Sequence, residues 1–174
     1  MEYRETVDFI RTVEKAGVDF ITIHGRTKST PSSHPVDLEA IKLLTEHTTV
    51  PTIANGDIFT LRNAEECVRL TGVDGVMSAR GLLENPALFT GEERCPWEAV
   101  EVFMGKVVRA PLPFKLVVHH LSEMVGSDHL GGTVGGGNSK GTLFSKEERM
   151  GLMECGGMVE LIDYLDSVRE VRRL

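Results

Sequence analysis

The sequence predicts an α/β fold, a parallel sheet followed by a helical domain, and three observations carry that prediction. Helical and strand patterns alternate with βα regularity from the start of the chain to about residue 92. The strand segments are apolar runs without polar alternation, as expected of a parallel sheet covered on both faces. After Asn85-Pro86 the strand patterns stop and helical periodicity continues alone.

The elements follow in order. Val7, Ile10, Val13 and Ala16 recur at helical spacing, and Gly17 stands where a glycine ends a helix. Phe20-Ile21-Thr22-Ile23 is a β-branched run bounded by His24-Gly25. Asp37 is a good N-cap for a second helix with Leu38, Ile41 and Leu44 on one face. Val50-Pro51-Thr52-Ile53-Ala54 forms the next strand and runs into Asn55-Gly56-Asp57. Thr60 caps a third helix carrying Leu61, Ala64 and Val68, which stops at Thr71-Gly72. A short strand, Gly75-Val76-Met77-Ser78, follows.

Three strands with short connections complete no common parallel fold. A (β/α)8 TIM barrel has eight strands and roughly 250 residues. Residues 1–92 are therefore expected to be the C-terminal portion of such a barrel, its earlier strands missing from the chain, as in a truncated gene model or a fragment. A small open sheet of three strands is the alternative. Residues 93–174 form the expected C-terminal helical domain. Within it, Trp97 to Val108 and Phe114 to Met124 read as helices separated by Pro111-Leu112-Pro113. The stretch 131–141 is rich in glycine, but a phosphate loop places its glycines and lysine between a strand and a helix. Here Lys140 follows a serine and helices flank the stretch, so it reads as a flexible loop. Ser145-Lys146-Glu147-Glu148 is a capping box, and a last helix from Met158 to about Arg172 sets Leu161, Ile162, Leu165 and Val168 on one face.

Composition narrows the function classes. Of the 174 residues, 41% are hydrophobic and 26% charged, an ordinary globular balance. No apolar run reaches the roughly 18 residues of a membrane span, and the charged start of the chain lacks a signal-peptide apolar region. Cys67, Cys95 and Cys155 are too widely spaced for a disulfide framework or a CxxC metal site, which favours a reducing, intracellular setting. A net charge of −7 argues against a surface devoted wholly to nucleic acid, while leaving room for a local basic patch.

Function in a parallel barrel sits at the C-terminal ends of the strands. Three polar clusters fall there: His24-Gly25-Arg26-Thr27, Asn55-Gly56-Asp57 and Ser78-Ala79-Arg80-Gly81. Loops after the last strands of such barrels often cradle a phosphate with backbone N–H groups and a nearby helix N-terminus. Gly56 and Gly81 would let backbone approach an anion, and Arg80 would add a charge-assisted hydrogen bond. Each cluster alone has a plainer explanation: a turn for Asn55-Gly56-Asp57, a surface ion pair for Arg80, a packed histidine for His24. Three in register on successive strands point to a site.

The strings Phe20 to Thr27, Ile53 to Ile58 and Gly75 to Gly81, with Asn85-Pro86 behind them, closely resemble the tRNA-dihydrouridine synthases in order and spacing. Ala79 stands where bacterial members often have glycine and is more similar to the eukaryotic branch acting at positions 20a and 20b. Pro113-Phe114 to His120-Leu121 and Ile162-Asp163-Tyr164-Leu165 resemble that branch loosely, whereas the glycine-rich stretch does not match and looks like an insertion. The resemblance implies an FMN enzyme that uses NADPH or NADH to reduce the C5–C6 bond of a uridine in tRNA. It implies that His24 lies against the flavin, that Asn55, Gly56 and Asp57 bind FMN, and that Ala79 and Arg80 hold its phosphate. Arg26, beside the site, is open to either phosphate or base. It further implies tRNA as partner, gripped in part by the helical tail. The target uridine would be taken out of its stack. No metal is expected, the full-length protein is expected to be a monomer, and its place is the cytoplasm or the nucleus.

In that family the proton donor is a cysteine in an Asn-x-x-Cys-Pro-like loop, and a lysine contacts the flavin from the preceding strand. Neither motif occurs in this sequence, so no catalytic residue is assigned and the chain alone is expected to be inactive. Cys95-Pro96 is preceded by Glu93-Arg94, lies beyond the final strand, and is not read as the donor. His119 and His120 sit in an amphipathic helix and read as packing residues. The competing readings are another FMN-binding barrel oxidoreductase and a non-catalytic RNA-binding or interaction fragment.

Overall fold

The computed structural model describes residues 3–126 and 142–173. Contacts divide the chain into two compact units, Met1–Gly81 and Leu82–Leu174. The glycine-rich stretch at 131–141 lies outside the described residues.

The first unit runs α1 (Tyr3–Lys15), β1 (Ile21–His24), α2 (Leu38–Glu46), β2 (Thr52–Asn55), α3 (Leu61–Thr71) and β3 (Gly75–Met77), with α4 (Arg80–Glu84) beginning at its end. The strands form one parallel sheet in the order β1-β2-β3. Capping follows the sequence closely. Asp37 accepts a hydrogen bond from the Ala40 N–H at 2.8 Å and starts α2. Thr60 starts α3 in a reciprocal box whose second member is Asn63. Gly72, at φ 73, ends α3 in the left-handed conformation that glycine adopts without a Cβ clash. Glu14, at the end of α1, accepts from the Thr49 and Val50 N–H groups and so ties that helix to the start of β2.

Strand register decides which side chains share a face. Ile21 pairs with Thr52, Ile23 with Ala54, and Ala54 with Val76. These line the side on which α2 meets β1 and α3 meets β3, and Ile23, Thr52 and Ala54 are buried there. The opposite face carries Thr22, His24, Ile53, Asn55, Gly75 and Met77, since successive residues alternate. That face is open: Thr22, His24 and Met77 are exposed. The apolar run in β1 predicts burial on both faces, and the structure buries one. The reason is architectural, because α2 and α3 both pack on the same side of the sheet. On α3 the buried stripe is Ala64, Cys67 and Thr71 rather than Leu61, Ala64 and Val68, and Val68 is exposed.

The second unit holds a short 3-10 turn (Leu88–Thr90) and helices α5 (Trp97–Arg109), α6 (Phe114–Gly126), α7 (Lys146–Glu154) and α8 (Met158–Arg173). The Ser145–Glu148 capping box forms as the sequence predicts, with both reciprocal bonds present. Val100, Val107, Val117, Leu121, Val125, Phe144, Leu152, Leu161, Leu165 and Val168 build one core. Trp97 stacks on Phe144 with ring centroids 5.8 Å apart. The Tyr164 hydroxyl donates to the Glu148 carbonyl at 2.7 Å and packs where Gly151 leaves no side chain, joining α7 to α8. Ile162, expected on the buried face of α8, is exposed instead, because it lies about 100° around the helix from the Leu161–Leu165–Val168 stripe. Among the described residues no helix is long and apolar enough to cross a membrane.

Candidate functional site

The last residues of the three strands form one row: His24 opposite Asn55, and Asn55 opposite Met77. Beyond this row the loops close around a small cleft of about 60 Å³. Its lining includes His24, Asn55, Gly56, Asp57, Ala79 and Arg80, so the structure brings together every site residue named from the sequence. Arg26, Ile58, Phe59, Met77, Ser78 and Gly81 complete the same walls.

The strand ends are pinned to one another. The Asn55 side-chain amide donates to the Met77 carbonyl at 2.9 Å, which fixes the mouth between β2 and β3. The Ser78 hydroxyl donates to the Ile58 carbonyl at 2.6 Å and ties the two following loops together. Between them the backbone turns through Gly56 at φ 121 and Asp57 at φ 55, the latter the non-glycine residue with positive φ among those described. Glycine is required at 56 for space as well as conformation. A Cβ there would lie 3.1 Å from His24 Cε1 and would collide with the Val36 side chain. The His24 imidazole therefore lies beside a stretch of bare backbone, and side chain and loop together form one wall.

Asp57 is the hub of the charge pattern. Nη2 of Arg26 donates to both of its carboxylate oxygens at 2.6 Å, and the Arg26 side chain is only 6% exposed. The same guanidinium donates to the carbonyls of His34, from Nε at 2.8 Å, and of Ser32, at 3.3 Å. Arg26 Nε and Nη2 thus donate within the protein and clamp the β1–α2 loop to Asp57. Asp57 also accepts from the Val36 N–H at 3.1 Å and from Arg80 Nη2 at 3.3 Å. Arg80 lies with its guanidinium 5.2 Å from the centre of the Phe59 ring and remains 44% exposed, so it presents a cation to the cleft. Phe59 was not singled out from the sequence; an aromatic two residues past the Asn55-Gly56-Asp57 turn was the available signal. The helix opened by Arg80 spans a single turn, Arg80–Glu84.

The cysteines are not part of this cleft. Cys95 is buried in the helical core, and burial pushes its thiol up to about 12. Cys67 and Cys155 are also buried and free, each with its thiol raised first of all by burial. Among the described residues no group of three or more His, Cys, Asp or Glu is placed to hold a metal ion.

A set of strand-end clusters in one cleft invites comparison with known proteins, and the sequence pattern of the dihydrouridine synthases matches residues 1–134. The chain belongs to the dihydrouridine synthase family. The match covers the whole sheet unit and continues through α5 and α6. The chain is similar to the tRNA-dihydrouridine(20a/20b) synthase (NAD(P)+) of Schizosaccharomyces pombe, 38% identical over 172 residues, covering 99% of this chain and 48% of that protein. It is similar to the Saccharomyces cerevisiae protein of the same name, 42% identical over 173 residues, covering 97% of this chain and 43% of that protein. A tRNA-dihydrouridine(20a/20b) synthase (NAD(P)+)-like protein of Homo sapiens is 40% identical over 124 residues, 71% of this chain and 39% of its own length. These relatives place the chain in the eukaryotic branch of the dihydrouridine synthase family. The chain spans about half the length of the curated relatives it matches.

Proposed function

We propose that this chain is the flavin-phosphate-binding part of a tRNA-dihydrouridine synthase, an FMN oxidoreductase that reduces uridine in tRNA to 5,6-dihydrouridine with NADPH or NADH. One observation carries the reading: in a member of this family, His24, Asn55, Gly56, Asp57, Ala79 and Arg80 line a single cleft at the C-terminal ends of adjacent parallel strands. The sheet is proposed to be the last strands of a (β/α)8 barrel. Consecutive strands are neighbours and both crossover helices lie on one side, the arrangement that right-handed crossovers produce in a barrel. The open face carrying Thr22, Ile53 and Met77 would then face the barrel interior.

The residues present fit the phosphate end of FMN. Arg80 offers a cation backed by an aromatic ring, and the bare backbone at Gly56 borders the same cleft. A cleft of about 60 Å³ is far below the roughly 300 Å³ or more of a small-molecule pocket, so it suits a phosphate and not a whole flavin. When bound, the flavin supplies the hydride chemistry. This chain's residues bind and orient: Arg80 holds the phosphate, the backbone at Gly56 borders it, and His24 borders the ring. The tRNA is proposed as macromolecular partner, the complete protein as a monomer, and its place as the cytoplasm or the nucleus.

The test is a chimera in which this chain replaces the part of the S. pombe relative that it matches, expressed in a strain lacking that relative. Restored dihydrouridine in tRNA, read by mass spectrometry, is the expected result. A folded chimera that retains tRNA but leaves uridine unreduced would favour a non-catalytic RNA-binding role and overturn the proposal.

A further inference from the structure

We infer that Asp57 is a positioning residue, which holds the Arg80 guanidinium ready for a phosphate group and does not itself touch the ligand. The inference rests on the flavin reading for the identity of the phosphate. For the rest it rests on geometry.

A carboxylate has about four acceptor positions. Protein donors surround Asp57, with the two N–H groups of Arg26 Nη2 shared between its oxygens and the Ser32 and His34 carbonyls. Each oxygen accepts from Arg26 Nη2 at 2.6 Å, Oδ2 also accepts the Val36 N–H at 3.1 Å, and Oδ1 accepts Arg80 Nη2 at 3.3 Å. A carboxylate is moreover a poor neighbour for an anion, so its place in this cleft needs another explanation. The charges provide one. Arg26 is enclosed, 6% exposed, and its charge is answered by Asp57. The remaining cation, Arg80, reaches the cleft through an edge that Asp57 steadies and a face that Phe59 covers at 5.2 Å. Only one of its five N–H donors is used by Asp57, which leaves others for a phosphate. An arginine restrained in this way gives up less freedom on binding, and so binds more tightly. Asp57 also joins distant segments. Through Arg26 and Val36 it ties down the loop after β1, and through Arg80 the loop after β3, while its own left-handed backbone at φ 55 fixes where the carboxylate stands.

Asp57→Asn is the informative variant. Asparagine tolerates left-handed backbone and can still accept the Val36 N–H, so the change removes mainly the charge. In the S. pombe chimera, FMN and riboflavin, which share a ring but not a phosphate, are titrated with and without Asp57→Asn. Asp57→Asn is expected to weaken FMN about tenfold, the worth of one charge-assisted hydrogen bond, with riboflavin essentially unchanged. In an Arg80→Lys background the same substitution is expected to have no further effect. Equal losses for FMN and riboflavin would mean that Asp57 meets the ring, and would overturn the inference. An unchanged FMN affinity would overturn it too. A second readout needs no flavin: the Arg80 Nε–Hε group, followed by NMR relaxation in the unmodified chain, is expected to be ordered, and to become mobile in Asp57→Asn. If the unmodified chimera binds neither flavin, the flavin reading fails by itself and this readout decides. An Arg80 that is already mobile in the unmodified chain, or equally ordered in the variant, sinks the inference whatever the variant's stability.

Discussion

In the helical unit Val117, Leu121, Val125, Phe144, Leu152 and Leu161 are fully enclosed, and one core serves all four long helices. In the sheet unit Ile23, Ala54 and Ile41 are buried, yet Phe20 beside β1 is 53% exposed and Met77 on β3 is 43% exposed. The helical segment encloses one core, while Val102, Val108, Met153 and Val159 stay exposed on its surface. The sheet packs on the helix-covered side and leaves a mixed apolar face and two parallel edges available. The polar residues cluster at the C-terminal rim of that incompletely packed sheet, where His24, Asn55 and Arg80 line a common cleft. That row is the basis of the proposed flavin-phosphate site.

The largest expected effect lies in the helical unit. Phe144→Ala empties a wholly buried site and is expected to cost about 3–5 kcal/mol. Trp97, the single tryptophan, stacks on Phe144, so its fluorescence during denaturant unfolding reports this unit alone. A loss under 1 kcal/mol would deny that the helices share one tight core. Next comes Gly56→Ala, which adds backbone strain at φ 121 and a collision with Val36, and is expected to cost the sheet unit about 2–3 kcal/mol. Far-ultraviolet circular dichroism should show the loss while the Trp97 transition stays put.

Smaller effects sharpen the same contrast. Asp37→Ala removes an N-cap and is expected to cost about 1 kcal/mol, and Asp37→Asn much less, since asparagine caps as well. The Ala40 N–H, helped by the Tyr3 hydroxyl, holds the Asp37 carboxyl below its ordinary value of 3.8. Its folded value being the lower one, the charged form stabilises the sheet unit above that pH, and the contribution fades as pH falls through the folded value. Acid titration of Asp37→Asn should therefore converge with the parent protein only below pH 3.8, and curves already superimposed at neutral pH would contradict this. Smallest of all, Phe20→Ser and Met77→Ser, on the open face, should change stability within about 0.5 kcal/mol while reducing self-association seen by light scattering.

The sequence was most informative where the signal is local. Asp37, Thr60 and Ser145 start their helices as caps because each bonds to a backbone N–H a few residues away, and short spacing carries that information. The strand ends were legible for the same reason, as abrupt changes from β-branched runs to Gly, Asn and Asp. Faces were harder. On α3 the series Leu61–Ala64–Val68 and Ala64–Cys67–Thr71 both have helical spacing, and only the sheet beneath selects the second. What the sequence could not show is pairing across the fold. Arg26 and Asp57 are 31 residues apart, so the clamp between them, and the use it makes of Asp57, emerges only when the β1 and β2 ends come side by side.

The central claim, that the three strand ends together hold the phosphate of a flavin, is tested most directly by the flavin that the purified S. pombe chimera retains. The account predicts a yellow protein with about one FMN per chain, and a largely colourless one when Arg80→Ala is introduced into the same folded chimera. A chimera that is stable but colourless, or one whose flavin content is indifferent to Arg80→Ala, would contradict it.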